Sequence, residues 1–249
     1  MPGGRVAALG REDVRVAGEG LRPDLWPSAN APARERGELR WLWASSLMPW
    51  KGSDFLARAY GMLERATPMD VCYLPVAGEA LEGFEQHAQV TPHRALGARA
   101  LDAVRASASV YLHTSQQPEP FGRSILEAMA AGLCPVVPDE GSGPMLVEHG
   151  RSGLIYRARD VNAFLDALRY TQRHPEHVFK MGRRAMEEAR FLGDPWRAFA
   201  PVTCAIEECL EAGQPRDDLA RNEPGHRVAS DRKKPTKPYV SLAFQGFSR

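Results

Sequence analysis

The amino-acid sequence predicts an α/β fold: a single doubly wound parallel sheet followed by a C-terminal helical extension. Two observations carry this reading. From residue 39 onward, apolar runs of strand length alternate with longer stretches of helical periodicity, the pattern of parallel strands joined by crossover helices. The runs are also continuously apolar, as strands buried on both faces must be. No internal repeat interrupts the series.

Each element has its own signal. "LRWLWASS" (39–46) is an apolar run stopped short of Pro49, and so reads as a buried strand. "DFLARAYGMLERA" (54–66) places Phe55, Leu56, Tyr60 and Leu63 at helical spacing. "VCYLPVAG" (71–78) reads as the second strand, and "HAQVTP" (87–92) as a weaker third. "ALGARALDAVRAS" (95–107) is helical and "SVYLHTS" (109–115) is a buried strand. The helix "GRSILEAMAAG" (122–132), the strand "LCPVVP" (133–138) and a short strand "GLIYRA" (153–158) follow. Helices over 161–173, 175–191 and about 195–212 close the series.

The organisation expected is a linker-like segment over 1–37, a doubly wound Rossmann-like domain over 38–192, a closing helix over 193–213 and a flexible polar tail over 214–249. The tail, with "RDDLARNEPGHRVASDRKKPTKP", is too polar to bury a core of its own. In the closing helix, where Val202 is also apolar, Trp196, Phe199, Ile206 and Leu210 form an apolar stripe. Partial exposure of Phe199, Ile206 and Leu210 is expected there, and with it a partner surface.

Composition narrows the function classes. Of 249 residues, 43% are hydrophobic and 25% charged, as in an ordinary globular protein. A net charge of +1 gives no global attraction to nucleic acid or anionic lipid. No apolar run approaches the ~20 residues of a membrane span. Cys72, Cys134, Cys204 and Cys209 form no CxxC pair. Three of the four lie in apolar or helical runs, where thiols are buried or inert. A cytoplasmic location and no metal site are expected.

The stretch "QQPEPFGRSILEAMAAGLCPVVPDEGSG" (116–143) carries the chemistry. In a doubly wound sheet, ligands bind beyond the carboxyl ends of the strands. The loop "TSQQPEPFG" occupies such an end, just before a helix whose first N–H groups favour an anion. Gly122 lets a ligand approach the backbone. Glu119 and Glu127 stand on either side of that turn. Carboxylates would repel a phosphate, but they suit the hydroxyls flanking one: a sugar on one side and a ribose on the other. By spacing alone the two glutamates would pass as a loop charge and an exposed helix residue.

The string "EPFGRSILEAMAAGLCPVV" resembles the donor-binding signature of retaining GT-B glycosyltransferases, the group-one set often called family 4. The flanks resemble the same family in order: "SSLMPWKGSDFLARAYGML", "LPVAGEA", "SASVYLHTSQQPEPFG", "GSGPMLVEHGRSGLIYRARDVNAFLDAL" and "FLGDPWRAFAPVTCAIEECL". "VRVAGEGLRPDLWPSAN" (14–30) resembles the interdomain linker. The resemblance covers about residues 14–212 and implies the C-terminal, Rossmann-like, donor-binding half of such an enzyme.

The family's roles carry over where the residues match. Glu127 resembles the carboxylate that holds the nucleotide ribose, and Glu119 the one beside the donor sugar. Backbone N–H groups around Phe121 and Gly122 would meet sugar hydroxyls. Lys51 resembles the lysine that neutralises the donor diphosphate. The donor would be a nucleotide-diphosphate sugar, with no separate cofactor. Ser46 stands where the family has an arginine beside that lysine, so one cation is missing; Arg123 is a substitute candidate. Pro92 and His93 occupy the neighbourhood of the family's base-binding glycine. His93 and His113 are expected to make local hydrogen bonds and not to act in catalysis.

Only residues 1–13 precede the stretch 14–30 that resembles the interdomain linker, so the acceptor domain of such enzymes is expected to lie outside this chain. Three readings follow. The first is a glycosyltransferase donor domain, completed by another chain or truncated from a longer gene, with an N-terminal-domain protein or a second copy as the expected partner. The second is a noncatalytic nucleotide-sugar-binding module. The third, a GT-B-fold sugar-nucleotide epimerase, fits the paired glutamates least.

Overall fold

A computed structural model describes residues 38–76, 80–84, 87–194, 200, 202–204 and 206–207. The linker-like segment 1–37 and the tail 214–249 lie outside the described residues, as do Trp196, Phe199, Cys209 and Leu210.

The described strands are β1 (Trp41–Ser46), β2 (Met69–Leu74), β3 (Val90–Arg94), β4 (Val110–Leu112), β5 (Cys134–Pro138) and β6 (Leu154–Tyr156). They form one six-stranded sheet in the order β3-β2-β1-β4-β5-β6. Every pairing is parallel. The helices are α1 (Ser53–Gly61), α2 (Ala98–Ser107), α3 (Arg123–Ala130), α4 (Gly143–Leu146), α5 (Val161–Arg173) and α6 (Pro175–Leu192). This is the doubly wound α/β architecture that the sequence predicts.

The apolar runs divide into two cores, one on each face of the sheet. Trp41, Trp43 and Val71 point to the face covered by Phe55 of α1 and by Phe164 and Leu168 of α5. Leu42, Tyr111 and Val137 point to the opposite face, covered by Ile125 and Met129 of α3. Alternate residues of β1 thus serve different cores, as the period of two requires. Helix α6 serves both, with Val178 and Met181 in the first core and Ala185 and Ala189 in the second. It can lie this close because Gly182 rests against the carbonyl of Gly132, where a Cβ would overlap the oxygen.

Element ends differ from the sequence reading for local reasons. Helix α1 stops at Gly61, well before residue 66, and β2 starts at Met69 to match Trp41 in register. Pro75 follows β2 directly. The third strand is shifted from 87–92 to Val90–Arg94 and contains Pro92. A proline without an N–H is tolerated there because β3 is an edge strand. The short helix α4 carries no periodic signal and was not expected. Helix α5 begins where expected because Asp160 caps it, accepting from the N–H groups of Asn162 and Ala163 at 3.0 Å each. In the closing-helix region, residues 200, 202–204 and 206–207 are helical. Val202 and Ile206 are exposed there, as expected for Ile206. Among the described residues, no helix is long and apolar enough to cross a membrane.

Candidate functional site

The strand order reverses direction between β1 and β4. In a doubly wound sheet, such a switch point is where ligands bind, beyond the carboxyl ends of the strands. The sequence-predicted site residues lie at the end of β1, on the loops that leave β1 and β4, and on the helix that follows.

The β1 loop is set by backbone geometry. Pro49–Lys51 forms one 3-10 turn, and Gly52 closes it at φ 72°. A Cβ at Gly52 would overlap the carbonyl oxygen of Thr114, so the β1 and β4 loops lie directly on each other. Thr114 joins them. Its hydroxyl accepts from Trp43 Nε1 at 2.8 Å and donates to the Lys51 carbonyl at 2.8 Å. The Gln116 N–H adds a bond to the Trp50 carbonyl at 2.6 Å. The backbone of Lys51 is therefore fixed, and its ammonium forms an ion pair with Glu119.

Glu119 is in turn held by the β5 loop. Gly141, at φ 64°, leaves room for the Glu119 backbone; a Cβ there would come within 2.5 Å of the Glu119 nitrogen. The Ser142 N–H donates to the Glu119 carbonyl at 2.8 Å. Gly122, at φ 64°, is the N-cap of α3, and no side chain caps that helix. The first amides of α3 are thus available to an anion. Phe121 is exposed beside them.

Glu127 sits one turn further along α3. Its Oε2 is paired with the guanidinium of Arg105, a residue the sequence reading did not single out. Arg123 Nε lies 4.0 Å from Glu127 Oε1, and its own side chain is 71% exposed. Arg123 thus lies at ion-pair distance from Glu127. Ser46 is the last residue of β1, partly buried and opposite Leu74 of β2.

The two histidines have different settings. His93 Nε2 lies 2.8 Å from Asp70 Oδ1, and Arg40 donates to the other oxygen of Asp70 at 3.0 Å. It makes the local hydrogen bond expected of it. His113 is buried, and its carbonyl accepts from the Tyr156 hydroxyl at 2.9 Å. Burial pushes its imidazole down to about 4; Glu119 opposes that shift and Lys51 adds to it. The ring is therefore neutral at physiological pH.

Burial pushes the thiols of Cys72 and Cys134 up to about 12, so both are inert, whereas Cys204 is exposed. Among the described residues, potential metal ligands gather at His174, Glu176 and His177, where α5 meets α6. The two imidazoles stack with planes only 16° apart.

Fold and site together define a doubly wound domain in which a cation meets a carboxylate at the switch point, beside an uncapped helix that carries a second carboxylate one turn in. Residues 38–173 match the model of the glycosyl transferases group 1 family, and the chain belongs to that family. It is 30% identical over 207 residues to a D-inositol 3-phosphate glycosyltransferase of Streptomyces griseus, covering 75% of this chain and 43% of that protein. It is 30% identical over 196 residues to a GDP-mannose-dependent alpha-(1-6)-phosphatidylinositol monomannoside mannosyltransferase of Mycolicibacterium smegmatis, covering 72% of this chain and 51% of that protein. The chain thus spans about half the length of the curated relatives it matches.

Solved structures agree in fold. Anabaena HepE in complex with UDP superposes with a TM-score of 0.65 at 22% identity, over 83% of this chain and 60% of that one. The C-terminal domain of a glycosyl transferase group 1 family protein (LpcC) from Francisella tularensis superposes with a TM-score of 0.57 at 14% identity. That match covers 67% of this chain and 94% of the domain. At such identities the likeness concerns the fold alone.

Proposed function

We propose that this chain is the donor-binding half of a glycosyltransferase that moves a sugar from a nucleotide-diphosphate sugar to an acceptor with retention. The observation that carries the reading is the meeting of Lys51 with Glu119 at the switch point, beside the uncapped start of α3. The diphosphate lies against the α3 amides and Lys51. The donor sugar lies by Glu119 and the Phe121–Gly122 backbone, and the ribose by Glu127.

During transfer, the bond between the sugar's anomeric carbon and the diphosphate oxygen breaks, and negative charge builds on the departing diphosphate. Lys51 and the α3 amides stabilise that charge without reorganising. Ser46 supplies no cation to it. The acceptor oxygen bonds to the anomeric carbon on the face that the diphosphate leaves, and its proton passes to the departing phosphate oxygen. Holding the acceptor in attack geometry can supply a large share of the barrier reduction. In this reading a counterpart of the relatives' other half does so. The exposed Val202 and Ile206 offer a surface for such a counterpart or for a second copy. The buried free thiols fit a reducing compartment such as the cytoplasm.

The names of the relatives and neighbours support a nucleotide-sugar donor: one is GDP-mannose-dependent, and another was crystallised with UDP-glucose. The test is calorimetric titration with UDP and GDP, beside uridine and guanosine, of the wild type and Lys51→Ala. The variant is expected to lose about tenfold in affinity for the diphosphate and little for the nucleoside. Equal losses for both ligands, or no diphosphate binding by the wild type, would rule the assignment out.

A further inference from the structure

We infer that Arg105 is a positioning residue for nucleotide recognition: it holds the carboxylate of Glu127 in the orientation that meets the ribose hydroxyls. The inference rests on the ribose-binding reading of Glu127.

Arg105 lies in the last turn of α2, and its side chain is only 8% exposed. A buried guanidinium needs carboxylate partners. Its Nη1 donates to Asp102 Oδ1 at 2.7 Å, one turn back on the same helix. Its Nη2 donates to Glu127 Oε2, on a different helix. The planar guanidinium fixes both directions at once. Asp102 anchors it, and it in turn anchors Glu127.

The two oxygens of Glu127 are thereby made unequal. Oε2 is committed to a buried cation. Oε1 has Arg123 Nε at 4.0 Å, beyond hydrogen-bond distance and on an exposed side chain. Oε1 is the atom left to accept from a ligand. A long carboxylate side chain ordinarily loses rotamer freedom when a ligand fixes it. Here much of that loss is met on folding, before any ligand arrives.

The backbone of α3 has its own attachment. Ile125 and Met129 bury it in the core with Leu42, Tyr111 and Val137. Removing Arg105 should therefore release the Glu127 side chain while leaving the helix in place.

A ligand that lacks the hydroxyls separates positioning from a merely structural role. UDP and GDP are titrated beside their 2′,3′-dideoxy counterparts, against wild type, Arg105→Met, Arg105→Lys, Glu127→Gln and the Arg105→Met/Glu127→Gln double variant. Arg105→Met is expected to weaken the ribose ligand by about tenfold and to leave the dideoxy ligand unchanged. Arg105→Lys keeps the charge and loses the planar fork, so it should show a smaller loss, again with the ribose ligand only. The double variant should bind no worse than Glu127→Gln alone. Should Arg105→Met fail to fold, Arg105→Lys carries the same comparison. Equal weakening of both ligands, additive losses in the double variant, or no loss in either arginine variant overturns the inference. A wild-type ratio of ribose to dideoxy affinity in Glu127→Gln, or no binding of either nucleotide by the wild type, overturns the ribose reading itself, and the inference with it.

Discussion

Lys51 and Glu119 form an ion pair across 68 residues of sequence, one at the exit of β1 and the other at the exit of β4. Both side chains are only partly exposed. The lysine proposed to meet a diphosphate is thus already neutralised by the carboxylate proposed to meet the sugar. A diphosphate without a sugar must compete with Glu119 for the ammonium.

Glu119→Gln should therefore tighten binding of UDP or GDP, not weaken it. A partly exposed pair is worth about 0.5–1 kcal/mol, which corresponds to roughly two- to fivefold. The intact nucleotide sugar should bind less tightly to the same variant, because the amide is a poorer acceptor for its hydroxyls. Calorimetry at low salt measures both. A loss of nucleoside diphosphate affinity would show that the pair does not restrain Lys51.

Gly122 and Ser142 offer a test of the turn before α3. Gly122 is left-handed, and a Cβ there would overlap the Ser142 hydroxyl. That hydroxyl is buried and has no hydrogen-bond partner among the described residues. Ser142→Ala should raise stability by about 1 kcal/mol by removing the orphan group. It keeps the N–H bond to Glu119. Gly122→Ala should lower stability by about 2 kcal/mol from φ strain and overlap together. Adding Ser142→Gly should recover the overlap part and leave the strain. Denaturant melts of the four proteins decide it, and a Ser142→Ala variant less stable than wild type would mean that the hydroxyl has a partner.

Val202 and Ile206 are four residues apart on helical backbone and both are exposed, Ile206 by 53%. Side chains at that spacing share a face. The chain is expected to self-associate as concentration rises, and Ile206→Ser to shift the onset upward several-fold. Light scattering over a concentration series measures this. A wild type that stays monomeric throughout would remove this face as an interface.

Much of the fold was legible because buried parallel strands advertise themselves. Trp41, Leu42 and Trp43 in succession cannot all be buried on one face, so the run had to be a strand covered on both sides. Glu119 and Glu127 were legible for a different reason: their motif ties them to a helix start. Arg105 was not, because its pairing with Glu127 depends on how α2 and α3 pack, and no periodicity encodes that. The only local hint was Asp102, three residues earlier. Thr114 was hidden in the same way, since its role is to bond Trp43 and the Lys51 carbonyl from the β4 loop. Helix α4 is a single turn, too short for any periodic signal.

His113 gives the last prediction, a pH dependence of stability. It is buried close enough to Glu119 and Lys51 to feel both charges, and burial lowers its imidazole from 6.5 to about 4. Between those values the unfolded chain binds a proton at this residue and the folded chain does not. Stability therefore rises with pH through that window. The contribution is fully present above about pH 6.5, declines as pH falls toward 4, and changes no further below it. Its size is at most about 3 kcal/mol. His113→Asn removes this titration and leaves the others. Urea unfolding of both proteins at pH 7 and pH 4.5 should show the wild type losing about 2 kcal/mol more than the variant on acidification. Equal losses in the two proteins would mean that the imidazole takes up a proton in the folded state at its ordinary pKa, and that its surroundings are wetter than its burial implies.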